Sequence, residues 1–212
     1  MKLFLDTADV KSVKARLSTG LISGITTNPT LIFKSGRHPQ TVYQELIDLG
    51  IDDISMEVVG DSEEELFRNA MGHVKTYDSK ATIKLPCTID GLKACKRLSA
   101  VNIRTNVTLI FSPAQAILAS LAGATYISPF IGRMDDNSLD GMKLINDIKN
   151  TLTTDTKILA ASIRDPQSVS TAFALGADIC TVPVGVFDRM YDHVLTDKGV
   201  EQFNRDHEAA SN

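Results

Sequence analysis

One phrase recurs along this chain and limits its fold more than any other feature: a glycine, one or two small or polar residues, then a short apolar strand. It stands at Gly50-Ile51-Asp52-Asp53-Ile54, at Gly123-Ala124-Thr125-Tyr126-Ile127 and at Gly176-Ala177-Asp178-Ile179-Cys180, with a looser version from Gly20 to Ile25. Glycine just past a helix end supplies the left-handed cap, and the strand that follows at once marks an αβ junction, not a hairpin. The complementary βα junctions are also visible. Ser112-Pro113-Ala114-Gln115 has an N-cap serine, proline at the first helical position and glutamine placed for a capping box. Asp165-Pro166 repeats the cap and proline, and Asp61-Ser62-Glu63-Glu64-Glu65 puts acidic charge in a first turn, where the helix dipole favours it.

Helical periods follow these caps, as in Val10, Val13 and Leu17 or Met142, Ile145 and Ile148. Strands are expected near residues 2–6, 22–26, 53–58, 80–85, 103–108, 125–129, 157–162 and 178–182, with helices between them and a terminal helix from about Thr196 to His207. Eight such units in 212 residues are compact but feasible for a closed α/β barrel. An open doubly wound sheet shares the alternation, but it usually carries a glycine-rich fingerprint after its first strand. Here that strand runs into Leu5-Asp6-Thr7-Ala8-Asp9. No linker rich in Gly, Ser or Pro divides the chain. The expectation is one domain over residues 1–212, a single (β/α)8 TIM barrel with an additional C-terminal helix.

Composition narrows the partners. A formal net charge of -4 with no long basic run argues against nucleic acid, although one local anion site is compatible with it. The first residues enter strand-like sequence directly, and no apolar stretch has the length of a membrane span. Three cysteines without CxxC spacing fit a reducing compartment, so the cytoplasm is the expected location. The four histidines have no ligand-like spacing, and neither a metal nor another cofactor is expected.

Within Ala81-Thr82-Ile83-Lys84-Leu85-Pro86, Lys84 sits where a lysine is costly. Strand alternation puts Ile83 and Leu85 on one face and Thr82 and Lys84 on the other. An ammonium held there loses hydration, which disfavours the charged form, and a neutral amine attacks ketones and aldehydes to give a Schiff base. An isolated strand lysine more often snorkels to water. Its company shifts the odds. In a barrel, polar residues at the carboxyl ends of strands converge on one mouth. Here seven strands end in Asp6; Thr26 and Asn28; Glu57; Lys84; Asn106 and Thr108; Ser128 with Phe130 and Arg133 beyond it; and Ser162 and Arg164. Individually, Asp6 suits a helix cap and Thr26 and Asn28 suit the turn before Pro29. Together they describe an aldol site: Lys84 as amine, Asp6 and Glu57 as proton shuttles, Arg133 and Arg164 with Ser162 as a phosphate clamp, and Asn28, Asn106 and Ser128 for sugar hydroxyls.

These segments resemble the transaldolase family, in the short subgroup that includes fructose-6-phosphate aldolase and small bacterial and phage transaldolases. The matching residues are Leu5-Asp6-Thr7, Gly24-Ile25-Thr26-Thr27-Asn28-Pro29, Ile83-Lys84-Leu85-Pro86, Asn106 to Ser112, Ile127 to Arg133 and Ala160 to Arg164. The resemblance covers nearly the whole length. It implies Lys84 as the Schiff-base lysine, Asp6 and Glu57 as acid/base groups and Thr108 positioning a catalytic water. It also implies Arg133, Ser162 and Arg164 on the substrate phosphate. Fructose-6-phosphate aldolases carry tyrosine at the position of Phe130 and glutamine at that of Glu57, so the resemblance favours transfer of a dihydroxyacetone unit between sugar phosphates of the pentose phosphate pathway over its release. It further implies a homo-oligomer, pentameric or decameric. The alternatives are an aldol lyase with the same site and a barrel that binds sugar phosphates without catalysis.

Overall fold

The computed structural model describes residues 1–211 and is a closed barrel of eight parallel strands in sequence order. The strands are β1 (Lys2–Asp6), β2 (Ile22–Thr26), β3 (Ile54–Glu57), β4 (Ala81–Pro86), β5 (Thr105–Ile110), β6 (Tyr126–Pro129), β7 (Lys157–Ala160) and β8 (Ile179–Val182), with β8 pairing back onto β1. Around them lie α1 (Val10–Leu17), α2 (Pro29–Ser35), α3 (Pro39–Asp48), α4 (Glu63–Tyr77), α5 (Ile89–Ala100), α6 (Pro113–Leu121), α7 (Ile131–Asp135), α8 (Gly141–Thr151), α9 (Pro166–Ala174), α10 (Val184–Arg189) and α11 (Val194–Ala210). The expected (β/α)8 barrel and its extra C-terminal helix are therefore present. The helix α11 is longer than expected at both ends and exposed along its length, including Val194, Leu195, Val200 and Phe203.

The caps read from the sequence are made. The Ser112 hydroxyl accepts from the Gln115 amide at 3.2 Å while the Gln115 side chain accepts from the Phe111 amide at 2.8 Å. Asp165 accepts from the Ser168 amide at 2.8 Å. Strand ends fall within two residues of expectation, and two of the largest differences lie beside strained backbone. β5 runs two residues further because its pairing with β6 shifts between Val107 and Ile110, where Leu109 takes φ 60°. β7 stops at Ala160 and not Ser162, because Ser162 takes φ 59° and leaves the extended conformation. Side chains other than glycine rarely adopt such angles, and a leucine there is a genuine outlier. The alternation of a regular strand is broken at these two points.

Two apolar cores result. The larger one fills the layer between strands and helices, from Val13, Ile25 and Leu46 to Val169 and Phe187. The smaller one gathers Phe4, Tyr126, Leu159, Ala161 and Ile179. Each of its members lies two residues from a side chain at the mouth or lines it directly, so this cluster plugs the barrel interior. Gly24 makes room for it: a Cβ there would come within 2.6 Å of the Phe4 ring. At the amino-terminal end the plug gives way to a polar knot. Asp53 accepts from the Thr82 hydroxyl at 2.6 Å and the Tyr126 hydroxyl at 2.7 Å, and pairs with Arg104 at 3.2 Å.

Candidate active site

Strand register brings the reactive groups together. In the β3–β4 ladder Glu57 is the partner of Lys84, and in the β4–β5 ladder Lys84 is the partner of Asn106. Glu57 and Lys84 therefore stand side by side, with Glu57 Oε2 3.1 Å from Lys84 Nζ. The ammonium also donates to the Thr27 carbonyl at 3.0 Å, and the residue is 4% exposed. In the β1–β2 ladder Asp6 is the partner of Thr26, whose hydroxyl donates to Asp6 Oδ1 at 2.7 Å.

The mouth has two lobes. The smaller, about 130 Å³, takes in Asp6, Thr26, Ser128, Ser162 and Thr181; the larger, about 330 Å³, takes in Glu57, Thr108 and Leu109. Asn28, Lys84, Phe130 and Arg133 line both. Lys84 thus sits at the junction, with one carboxylate on each side. Larger hollows of about 900 and 810 Å³ open beside Met1 and Lys2 at the opposite end of the barrel, without a comparable convergence of buried polar groups.

The electrostatics differ from group to group. Burial holds the Asp6 carboxyl above the ordinary range, with the Thr26 bond and the Lys84 charge pulling it down and the Glu57 charge pushing it up. Thr108 Oγ1 is buried with no hydrogen-bond partner among the described residues, so a water or a substrate oxygen in the larger lobe would satisfy it. Asn106 is fully buried beneath the mouth, donating to the Ser55 hydroxyl at 3.1 Å and accepting from the Ser128 hydroxyl at 2.7 Å. Ser128 has spent its one hydrogen, so its oxygen faces the cavity as an acceptor. Asn28 caps α2 through its side-chain oxygen, 2.9 Å from the Leu31 amide, which leaves its amide hydrogens for the cavity.

The Arg133 guanidinium lies over the Phe130 ring, 4.8 Å from its centroid. Ser162 lines the smaller lobe, whereas Arg164 is ion-paired with Asp136 and lines neither. Gly132 brings these pieces close: a Cβ there would stand 2.3 Å from the Ser162 carbonyl and 2.7 Å from Arg164 Nε. Among the described residues, no group of three or more His, Cys, Asp or Glu side chains gathers as metal ligands.

This geometry has a counterpart. Residues 3–212 match the family model described as Transaldolase/Fructose-6-phosphate aldolase. The chain belongs to that family. It is 47% identical over 212 residues to a probable transaldolase of Geobacter sulfurreducens, covering 99% of each chain. It is 45% identical to a probable transaldolase of Lactiplantibacillus plantarum, covering 99% of this chain and 97% of that one. A probable transaldolase of Aquifex aeolicus is 44% identical, over 98% of this chain and 97% of its own. Among solved structures, a thiamine phosphate pyrophosphorylase from Pyrococcus furiosus shares the fold, with a TM-score of 0.57 at 17% identity over 85% of each chain. This member of the transaldolase/fructose-6-phosphate aldolase family is accordingly an enzyme, and no helix among its described residues is long and apolar enough to cross a membrane.

Of the twelve expected residues, ten line the two lobes, Asn106 supports one of them from below, and Arg164 stands outside. The sequence reading missed Thr181, Thr27 and Ser55. Thr181 follows the rule that found the others, since it stands near the carboxyl end of β8, two residues after the plug residue Ile179. Thr27 contributes a carbonyl, which no side-chain pattern reports. Ser55 acts only through Asn106.

Proposed function

We propose that the protein is a transaldolase that moves a dihydroxyacetone unit from a ketose phosphate to an aldose phosphate through a Schiff base on Lys84. The single observation that supports this best is the Lys84 amine, buried at the junction of two lobes with Asp6 on one side and Glu57 on the other. Lys84 attacks the ketone of fructose 6-phosphate or sedoheptulose 7-phosphate. Glu57, in contact with the amine, and a water on the Thr108 hydroxyl carry protons during carbinolamine formation and loss of water. Asp6, in the other lobe, takes the proton from the hydroxyl whose carbon leaves as an aldehyde, and the carbon–carbon bond breaks. The electron pair stays in a three-carbon enamine on Lys84. That enamine then adds to glyceraldehyde 3-phosphate or erythrose 4-phosphate.

Substrate hydroxyls meet Asn28 and Ser128. The phosphate meets Arg133 and Ser162, with Arg164 joining if it exchanges Asp136 for the ligand. Phe130 has no hydroxyl to protonate the enamine, which favours transfer over release of dihydroxyacetone. The reading also includes a place in the pentose phosphate pathway, a cytoplasmic location and a homo-oligomer.

Borohydride with fructose 6-phosphate should add a reduced three- or six-carbon unit to Lys84, seen by peptide mass, and Lys84→Met should abolish both adduct and turnover. An adduct retained in Lys84→Met removes the lysine from this role. Dihydroxyacetone released without acceptor as fast as it is transferred would make the enzyme a lyase.

A further inference from the structure

Beyond the pair of carboxylates, the smaller lobe holds a hydroxyl chain that the reaction scheme does not yet use. Thr26 Oγ1 lies 2.7 Å from Asp6 Oδ1 and also 2.7 Å from Thr181 Oγ1. Thr26 and Thr181 are each 2% exposed, so bulk water does not compete for them. Each hydroxyl has one hydrogen, and an ionised carboxylate can only accept. While Asp6 is charged, Thr26 must donate to it, and Thr181 must in turn donate to Thr26. The chain runs one way, from β8 across β2 to β1, and each bond polarises the next in a poorly screened interior.

We infer that Thr181 is a positioning residue, whose buried hydroxyl fixes the direction of the Thr26 hydroxyl and so holds the Asp6 carboxylate in its proton-accepting form. This deepens the transaldolase reading and rests on it for the role of Asp6. When Asp6 takes a proton on Oδ1 from the substrate hydroxyl, the two threonine hydrogens reverse, and the Thr181 hydrogen turns toward the cavity that it lines. The carboxylate and the aldehyde-forming oxygen would then both have a partner at the same moment.

The surroundings of Asp6 leave this chain as its direct hydrogen-bond support. Lys84 from β4 and Glu57 from β3 face it with opposing charges, and Arg133 from α7 lines the same cavity. The neighbouring strands β2 and β8 present the two threonine hydroxyls, with Asn28 beyond β2. From α10, which packs against β1, Asp188 is tied to Arg16 and Arg189 to the Arg164 carbonyl.

The test follows the aspartate carboxyl carbons by NMR in substrate-free enzyme, with the Asp6 signal assigned from Asp6→Asn, alongside kcat/KM against pH. In Thr181→Val the Asp6 signal should titrate at higher pH than in the wild type, and the acid limb of kcat/KM should move the same way. On that limb the loss should be about two- to tenfold, the range for one hydrogen bond, and should shrink as the pH rises. Thr181→Ser should restore both readouts. An unchanged Asp6 titration in Thr181→Val overturns the inference, as does a uniform loss at every pH that serine does not rescue. Failure of the wild type to form the Lys84 adduct would instead remove the transaldolase reading, while the substrate-free titration would still decide the coupling of Thr181 to Asp6.

Discussion

Asp53→Ala should cost this protein much of its stability and almost none of its chemistry. Asp53 stands at the foot of β3, the opposite end of the strand from Glu57. Its carboxylate takes hydroxyl hydrogens from Thr82 on β4 and Tyr126 on β6 and pairs with Arg104, just before β5. Its carbonyl accepts from the Ile25 amide on β2 at 2.9 Å. One residue therefore ties four neighbouring strands at the floor of the barrel. Removing the carboxylate leaves Thr82, which is fully buried, and Tyr126, 7% exposed, without their acceptor. Each stranded hydroxyl costs about 1–3 kcal/mol. Arg104 keeps the carbonyls of Asp52 and Ser79, so its charge is not stranded, and the loss for a broken buried pair falls at the low end of its usual range, about 3–4 kcal/mol in all.

For a chain of this size each kcal/mol moves Tm by about 2–4 °C, so the variant should melt roughly 6–16 °C below the wild type. Tyr126→Phe, which removes one charge-assisted bond, should cost about 1.5–2 kcal/mol. Combining the two should add little beyond Asp53→Ala alone, because the tyrosine bond is already gone. Calorimetry at one fixed protein concentration gives these shifts without interference from association. At 25 °C, kcat/KM per folded molecule should stay within about twofold. A Tm within 2 °C of the wild type would refute the accounting for the buried hydroxyls. Lost activity at an unchanged Tm would refute the separation of floor from mouth.

Two further outcomes concern the mouth. Because burial raises the folded-state carboxyl of Asp6 above its ordinary 3.8, the native protein binds more protons than the unfolded chain between those two values, and stability falls as pH rises through that window. Asp6→Asn should therefore melt above the wild type at pH 7 and show no such advantage at pH 3, while turnover falls by roughly a hundredfold or more; a lower Tm at pH 7 would contradict the sign. Phe130→Tyr should raise acceptor-independent release of dihydroxyacetone by about tenfold, measured by coupled reduction of the product, and no change would remove Phe130 from the choice between transfer and release.

The fold was legible because it rests on local rules. Glycine caps, N-cap serine and aspartate and the positions of proline each act over a few residues, and they located all eight strands to within two residues. Strain was not legible. The positive φ values of Leu109 and Ser162 run against the preferences of those residue types, so no propensity could report them. They move the ends of β5 and β7, where polar groups must turn into the cavity. The site was legible as a set of strand ends and blurred in its depth. Asn106 and Thr108 both lie on β5 in the sequence pattern. Only the register places Asn106 beside Lys84 and beneath Ser128, while the Thr108 hydroxyl stays without a partner. Arg164 was grouped with Ser162 as one strand end, but the backbone at Ser162 leaves the extended conformation and Arg164 pairs with Asp136 instead.

The arrangement of polar groups inside the barrel explains why one lysine can be buried here at all. Below Lys84 the interior is not uniformly apolar. Phe4, Leu159 and Ile179 fill the sector around β1, β7 and β8, while Ser55, Thr82 and Asn106 fill the sector beneath β3, β4 and β5. A long side chain on β4 therefore rises through hydroxyls and an amide, and its nitrogen ends between a carboxylate and a carbonyl. Asp6 stands on the other side, over the apolar sector, where burial disfavours its charge. Burial thus raises the carboxyl that must take a proton during the reaction, while a carboxylate and a carbonyl hold the amine in place. Filling the β3–β5 sector with apolar side chains of equal volume would take away the hydroxyls and the amide beneath Lys84 and leave its amine with the Glu57 carboxylate and the Thr27 carbonyl as its polar contacts, while the loss of the Thr82 hydroxyl would also loosen the knot at Asp53.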